Sequence, residues 1–161
     1  MSFSRIIISR TDSIGDVVLT LPVVAALKKR YPDAYILFLG KKYTRAVIGS
    51  SEKVDEFIDW DEIKALKENE RVRTLKNYKA DIIIHVFPDK EIAFLAKKAG
   101  IRLRLGTISR WYHWVSCNKL VKLSRRNSDL HEAQLNLKLI RSLTDKQLFS
   151  LEEITGMYGM S

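Results

Sequence analysis

The segment Arg10-Thr11-Asp12-Ser13-Ile14-Gly15-Asp16 gathers a guanidinium, two hydroxyls, two carboxylates and a glycine within one short turn. It follows a β-branched apolar run, Arg5 to Ser9 (RIIIS), and enters a segment with helical spacing, Asp16 to Tyr31 (DVVLTLPVVAALKKRY). A loop between a buried strand and a helix is where an open parallel sheet places its ligands. Gly15 lets the backbone turn into the helix and lets a ligand come close, and the free amides of a first helical turn suit a phosphate. Asp16 has two readings. As structure, it is an acid in a first helical turn, favoured there by about 0.3 to 1 kcal/mol through the local dipole. As chemistry, it is a carboxylate facing a crevice, where it accepts the proton of a sugar hydroxyl as that oxygen displaces a phosphate ester. The helix start lowers its basicity, so burial by substrate has to raise it again.

The elements needed to position this turn recur along the chain. Apolar runs at Tyr35 to Leu39, around Glu56 to Asp59, at Asp81 to Val86 (DIIIHV) and at Arg102 to Gly106 read as further strands. Helical segments lie between them at Lys41 to Ile48, Glu62 to Tyr78 and Lys90 to Ala99, and Pro22 predicts a kink or break near the start of the first helix. Strand and helix alternate with short connections, which selects an α/β fold: a Rossmann-like, doubly wound parallel sheet. Beyond it, Ser109 to Leu123 is aromatic and basic with no clear periodicity. Asp129 to Leu143 (DLHEAQLNLKLIRSL) reads as an amphipathic helix with Leu130, Ala133, Leu137 and Ile140 on one face.

Composition narrows the class. The chain has 161 residues, 46% apolar and 29% charged, enough for one core and one domain. A single cysteine, Cys117, forms no internal disulfide and no Cys-based metal site, which favours a reducing, cytoplasmic setting. The apolar stretch before Ser9 is too short for a signal-peptide core or a bilayer span. The turn is not GxGxxG, and Leu39 and Gly40 stand where a dinucleotide fold carries its acid, so a dehydrogenase has little support. His85 at a strand end either reaches the crevice or, as a lone histidine there more often does, serves as a hydrogen-bonded structural residue, and His131 beside Glu132 has no i, i+4 histidine for a metal site.

The net charge is +9 and unevenly placed. From Ile92 to Ser128 there is no acid, while Lys97, Lys98, Arg102, Arg104, Arg110, Lys119, Lys122, Arg125 and Arg126 are basic. Such a stretch attracts an anionic partner, whether nucleic acid, phosphorylated glycolipid or an anionic membrane surface, or serves only as a solvated face. Arg110 leads directly into Trp111, Tyr112, His113 and Trp114, whose rings suit stacking on sugars or bases, covering a sheet edge, or facing a further lobe.

With these pieces assembled, RIIISRTDSIGDVVLTLPVVAALKKRYPDAYILFL resembles the N-terminal half of the lipopolysaccharide heptosyltransferases, glycosyltransferase family 9. ADIIIHVFP, IRLRLGT and HEAQLNLKLI resemble the same family in order and spacing, so the likeness runs from about Arg5 to Leu143. The resemblance implies one lobe of a two-lobed GT-B enzyme: a metal-independent, inverting transferase without a cofactor, with a nucleotide sugar, ADP-heptose, as co-substrate. It implies Asp16 as general base, with Arg10, Ser13, Gly15 and Arg110 binding substrate. It also implies an anionic lipopolysaccharide core acceptor at the cytoplasmic face of the inner membrane.

On this reading residues 1–145 are the acceptor-side lobe, 146–161 are a tail or the start of an interlobe linker, and the donor-binding lobe is absent. A second lobe or self-association is then an expected partner. Asp12 departs from the family in placing a second carboxylate beside Asp16, which raises the pKa of Asp16 or repels a diphosphate. Two other classes stand beside the transferase lobe: a noncatalytic glycolipid- or partner-binding remnant, and a basic nucleic-acid-binding domain.

Overall fold

The computed structural model describes residues 3–123, 132–144 and 156–157. Six strands form one all-parallel sheet: β1 (Arg5–Ser9), β2 (Tyr35–Gly40), β3 (Glu56–Asp59), β4 (Ile82–His85), β5 (Leu103–Thr107) and β6 (Lys119–Val121). Their order is β3-β2-β1-β4-β5-β6, the doubly wound arrangement expected from the alternation of apolar runs and helices. The chain reverses its direction of winding between β1 and β4, where Ile6 to Ser9 register with Ile82 to His85.

The central strands are apolar on both sides because both sides are covered. Ile6, Ile8, Ile36, Phe38, Ile82 and Ile84 pack on one face with Val17 of α1 (Ile14–Val18), Val24 and Leu27 of α2 (Leu21–Arg30), Ile48 of α3 (Arg45–Gly49), and Ala133 and Leu137 of α8 (Glu132–Leu139). Ile7, Leu37, Leu39 and Ile83 pack on the other with α4 (Trp60–Lys64), α5 (Glu68–Asn77) and α6 (Lys90–Lys98), through Trp60, Ile63, Leu75, Ile92 and Leu95. Each of these fully buried isoleucines contributes roughly 1.5–3 kcal/mol relative to exposure.

Several boundaries differ from the sequence reading: α3 begins only at Arg45, after a 3-10 turn at Lys42–Thr44, and α8 ends at Leu139 rather than Leu143. The segment from Asp16 to Tyr31 is two helices. The first ends at Val18, and Pro22 falls in the first turn of α2, where its missing N–H leaves no hydrogen bond unmade. Glu62 to Tyr78 is likewise two helices, the first begun by Asp59, whose carboxylate accepts from the amides of Asp61 and Glu62. Within Ser109 to Leu123 lie α7 (Trp111–Ser116) and β6. The stretch 124–131, with Arg125, Arg126 and His131, lies outside the described residues, as does most of the expected tail 146–161.

Candidate functional site

The carboxyl ends of β1, β4 and β5 open into a cleft of about 820 Å³. Arg10 and Asp12 line it from the loop after β1, Val86, Phe87 and Pro88 from the loop after β4, and Thr107, Ser109 and Arg110 from the end of β5 and its loop; Leu123 and Glu132 close it. The loops after β1 and β4 flank the switch in winding direction, where a doubly wound sheet places its ligands.

Arg10 organises the turn. Its side chain is 5% exposed and its guanidinium meets partners on every side. Nε and one terminal nitrogen donate to the Asp12 carboxylate at 2.8 and 3.0 Å. The other donates to Thr20 Oγ1 at 3.3 Å and to Asn136 Oδ1 at 3.1 Å. Asp16 and Glu132 carboxylates lie 3.5 and 3.6 Å away. Asn136 is fully buried and also donates to the Leu19 carbonyl at 3.0 Å, tying α8 to the end of α1. A buried guanidinium matched by carboxylates and neutral acceptors is stable only as such a set.

Asp16 stands at the open edge of this network, its side chain 41% exposed. Ser13 caps α1: its Oγ accepts from the Asp16 amide at 3.3 Å and donates to Asp16 Oδ2 at 2.6 Å. This hydroxyl and Arg10 fix one carboxylate in orientation while leaving it accessible. Burial pushes the Asp12 carboxyl above the ordinary range, opposed by the Arg10 guanidinium and reinforced by Asp16. Gly15 is not in the left-handed region, and a Cβ there would meet nothing within 4 Å. The turn itself therefore does not require glycine, and what remains of the expectation is open space above the backbone for a ligand.

The structure thus brings Arg10, Ser13, Gly15 and Asp16 into one turn and places Arg110 on the same cleft as Arg10. The two arginines differ. Arg10 is saturated by groups of the chain, whereas Arg110 is exposed and has no ion-pair partner among the described residues.

His85 ends β4 and is fully buried, its ring 5.3 Å from that of His113. Burial, with smaller contributions from His113 and Arg104, pushes His85 down to about 3, so the ring is neutral at ordinary pH. Burial also lowers His113, whose Nδ1 accepts from the Thr107 amide at 3.1 Å. Cys117 is buried with its thiol pushed up to about 11, chiefly by desolvation, which makes it a poor nucleophile. Among the described residues no group of three His, Cys, Asp or Glu side chains is placed to hold a metal, and no helix is long and apolar enough to cross a membrane.

Sequence reasoning missed Thr20, Glu132 and Asn136 as site residues. Glu132 and Asn136 lie four apart on α8 and so share a helix face, a signal obscured by the apolar periodicity of the same segment.

Sheet order and the cleft at the switch point define a doubly wound α/β domain with a cleft at the strands' carboxyl ends, lined in part by Arg10, Asp12, Ser109 and Arg110. No family model matches the chain. A Haemophilus influenzae protein assigned as a glycosyltransferase is 28% identical over 147 residues, 88% of this chain and 41% of that protein. Lipopolysaccharide heptosyltransferase 3 of Escherichia coli is 29% identical over 106 residues, 62% of this chain and 30% of that protein.

Among solved structures, a Veillonella parvula glycosyl transferase of family 9 superposes with a TM-score of 0.74 at 24% identity, covering 89% of this chain and 42% of that one. Escherichia coli heptosyltransferase WaaC with ADP-2-deoxy-2-fluoro heptose gives 0.72 at 16% identity, covering 95% and 53%. The chain is thus similar in sequence to a glycosyltransferase and to a lipopolysaccharide heptosyltransferase, and shares its fold with solved structures of glycosyltransferase family 9 and of a heptosyltransferase. It spans 41% and 30% of the lengths of the two curated relatives.

Proposed function

We propose that this domain is the acceptor-side lobe of an inverting sugar transferase, acting on an anionic lipopolysaccharide core with a nucleotide-activated heptose such as ADP-heptose as donor. The observation that carries the reading is the Asp16 carboxylate, oriented by Ser13 and Arg10, still 41% exposed, and beside Arg10, which lines the cleft with Asp12. In the reaction Asp16 takes the proton of an acceptor hydroxyl as that oxygen forms a bond to the anomeric carbon; the bond from that carbon to the diphosphate breaks, and the nucleotide leaves with the electron pair. Ser13 and Arg10 hold the base in place. The open space above Gly15 admits the donor's phosphates, and Arg110 meets the acceptor's negative charge. A second lobe supplies the rest of the donor site, and the acceptor is presented at the cytoplasmic face of the membrane that carries it. The relative bound to ADP-2-deoxy-2-fluoro heptose supports this donor class.

The test is Asp16→Asn introduced into the native gene, with the lipopolysaccharide core read by mass spectrometry. Asparagine keeps the shape and loses the base, and at a position 41% exposed it leaves the melting temperature of the protein close to wild type. The expected result is a core shortened by the transferred sugar and restored by the wild-type gene. A core of unchanged mass would defeat the role.

A further inference from the structure

Helix α7 turns an apolar face outward. Trp111, Trp114 and Val115, which share one side of the helix, are 64%, 66% and 53% exposed, while His113 and Ser116 on its other side are buried. Ile108 just before the helix is exposed too. Single exposed hydrophobics need no explanation, but two indoles and a valine on one short helix do.

Charge selects what covers them. The Lys90 ammonium lies 5.0 Å from the Trp111 ring centroid. Lys97 Nζ donates to the Val115 carbonyl at 2.9 Å, and Arg110 stands at the amino end of the helix. No acid occurs between Ile92 and Ser128. An aromatic and aliphatic face with a cationic rim complements a surface that is apolar beneath and anionic above, which describes a bilayer with acidic headgroups. The indole N–H of Trp114 donates to the Ile108 carbonyl at 2.7 Å, so burying that ring strands no donor.

We propose that α7 is an interfacial anchor that seats the domain on an anionic lipid bilayer. Trp111, Trp114 and Val115 enter the boundary between headgroups and acyl chains, and Lys90, Lys97 and Arg110 face lipid phosphates. Ser109 and Arg110, immediately before the helix, line the cleft, so the anchor sits beside its mouth. The proposal deepens the acceptor reading by naming how the domain reaches a lipid-linked substrate, and rests on it only for which membrane is met.

The test uses the full chain and vesicles without glycolipid, so that its outcome is independent of acceptor recognition and of Asp16. Co-sedimentation is measured with phosphatidylcholine vesicles containing roughly one-third phosphatidylglycerol, and with phosphatidylcholine alone. The expected result is binding to the anionic vesicles, weakened by salt, with a blue shift of tryptophan emission. Replacing both indoles (Trp111→Ala with Trp114→Ala) lowers partitioning by about tenfold or more, and so does Val115→Glu, which keeps both rings. Circular dichroism confirms that each variant is folded.

Absence of binding to anionic vesicles, or equal binding by the double variant, overturns the proposal. So does loss of self-association in the double variant without vesicle binding by the wild type, which assigns the face to a second copy. Binding to an oligonucleotide that is tighter than to vesicles and is abolished by the same substitutions overturns it in favour of nucleic acid.

Discussion

Arg10 illustrates how one side chain can be indispensable to a site without being free to bind anything. Every nitrogen of its guanidinium faces an acceptor of the chain: Asp12, Thr20, Asn136, Asp16 or Glu132. Arg10→Leu removes one partner and strands the others, an expected loss of roughly 3–5 kcal/mol in urea unfolding. Arg10→Lys keeps the charge but not the forked geometry, so it recovers only part of that loss.

The buried His85 gives a pH dependence of defined sign. Its folded value, about 3, lies below the ordinary 6.5, so below about pH 6.5 the unfolded chain takes up a proton that the folded chain refuses. Stability from this group is full above that range and falls by about 1.4 kcal/mol per unit as pH drops toward 3. Neither ring nitrogen finds a hydrogen-bond partner among the described residues, so an apolar replacement breaks nothing. His85→Leu is expected to flatten the stability profile between pH 6 and 4 and to melt higher than wild type at about pH 5, as thermal unfolding across pH will show.

At the scale of elements, α7 is locked to the sheet by a close approach over β5. A Cβ on Gly106 would fall 2.6 Å from His113 Nδ1 and 2.7 Å from Cys117 Sγ, neither of which has room to retreat inside a buried layer. Gly106→Ala therefore displaces α7, weakens the bond from the Thr107 amide to His113 and costs roughly 1–3 kcal/mol. Faster hydrogen exchange at Thr107 together with a lowered denaturation midpoint would register both effects, and unchanged exchange would contradict this packing account.

The same helix shows why parts of the fold were not legible. Strands buried on both faces spell themselves out as apolar runs, as RIIIS, YILFL and DIIIH do. Helix α7 inverts the usual rule, burying His113 and Ser116 and exposing Trp111 and Trp114, so its sequence offers no apolar stripe to recognise. The edge strand β6 is three residues long and too short to show a pattern. In the site, the turn from Arg10 to Asp16 was readable because it is contiguous. Asn136 was not, because its role depends on contact with a residue 126 positions away.

At the scale of the whole molecule, the sheet divides the charge. Strand β3 and helices α4 and α5 carry acids and bases together, whereas α6, β5, α7 and β6 have no acid from Ile92 through Val121. Several of those cations are engaged locally: Lys98 with Glu68, Arg104 with the carbonyls of Ile101 and Ser116. Arg110 and Lys122 are exposed, and the first lines the cleft while the second precedes Leu123, which also lines it. A field of one sign beside a cleft accelerates the approach of an oppositely charged ligand more than it tightens the final complex.

A phosphorylated core oligosaccharide should therefore associate faster at low salt, with a rate that falls as ionic strength rises toward the physiological Debye length of about 8 Å. Lys122→Glu is expected to slow association several-fold at low salt and little at high salt, while leaving dissociation nearly unchanged. Asp16→Asn should do neither, because its carboxylate acts on a bound hydroxyl and is already paired with Arg10. Stopped-flow binding of the oligosaccharide at two ionic strengths separates these cases. An association rate indifferent to both salt and Lys122→Glu would mean that the acid-free half of the sheet does not steer ligand to the cleft.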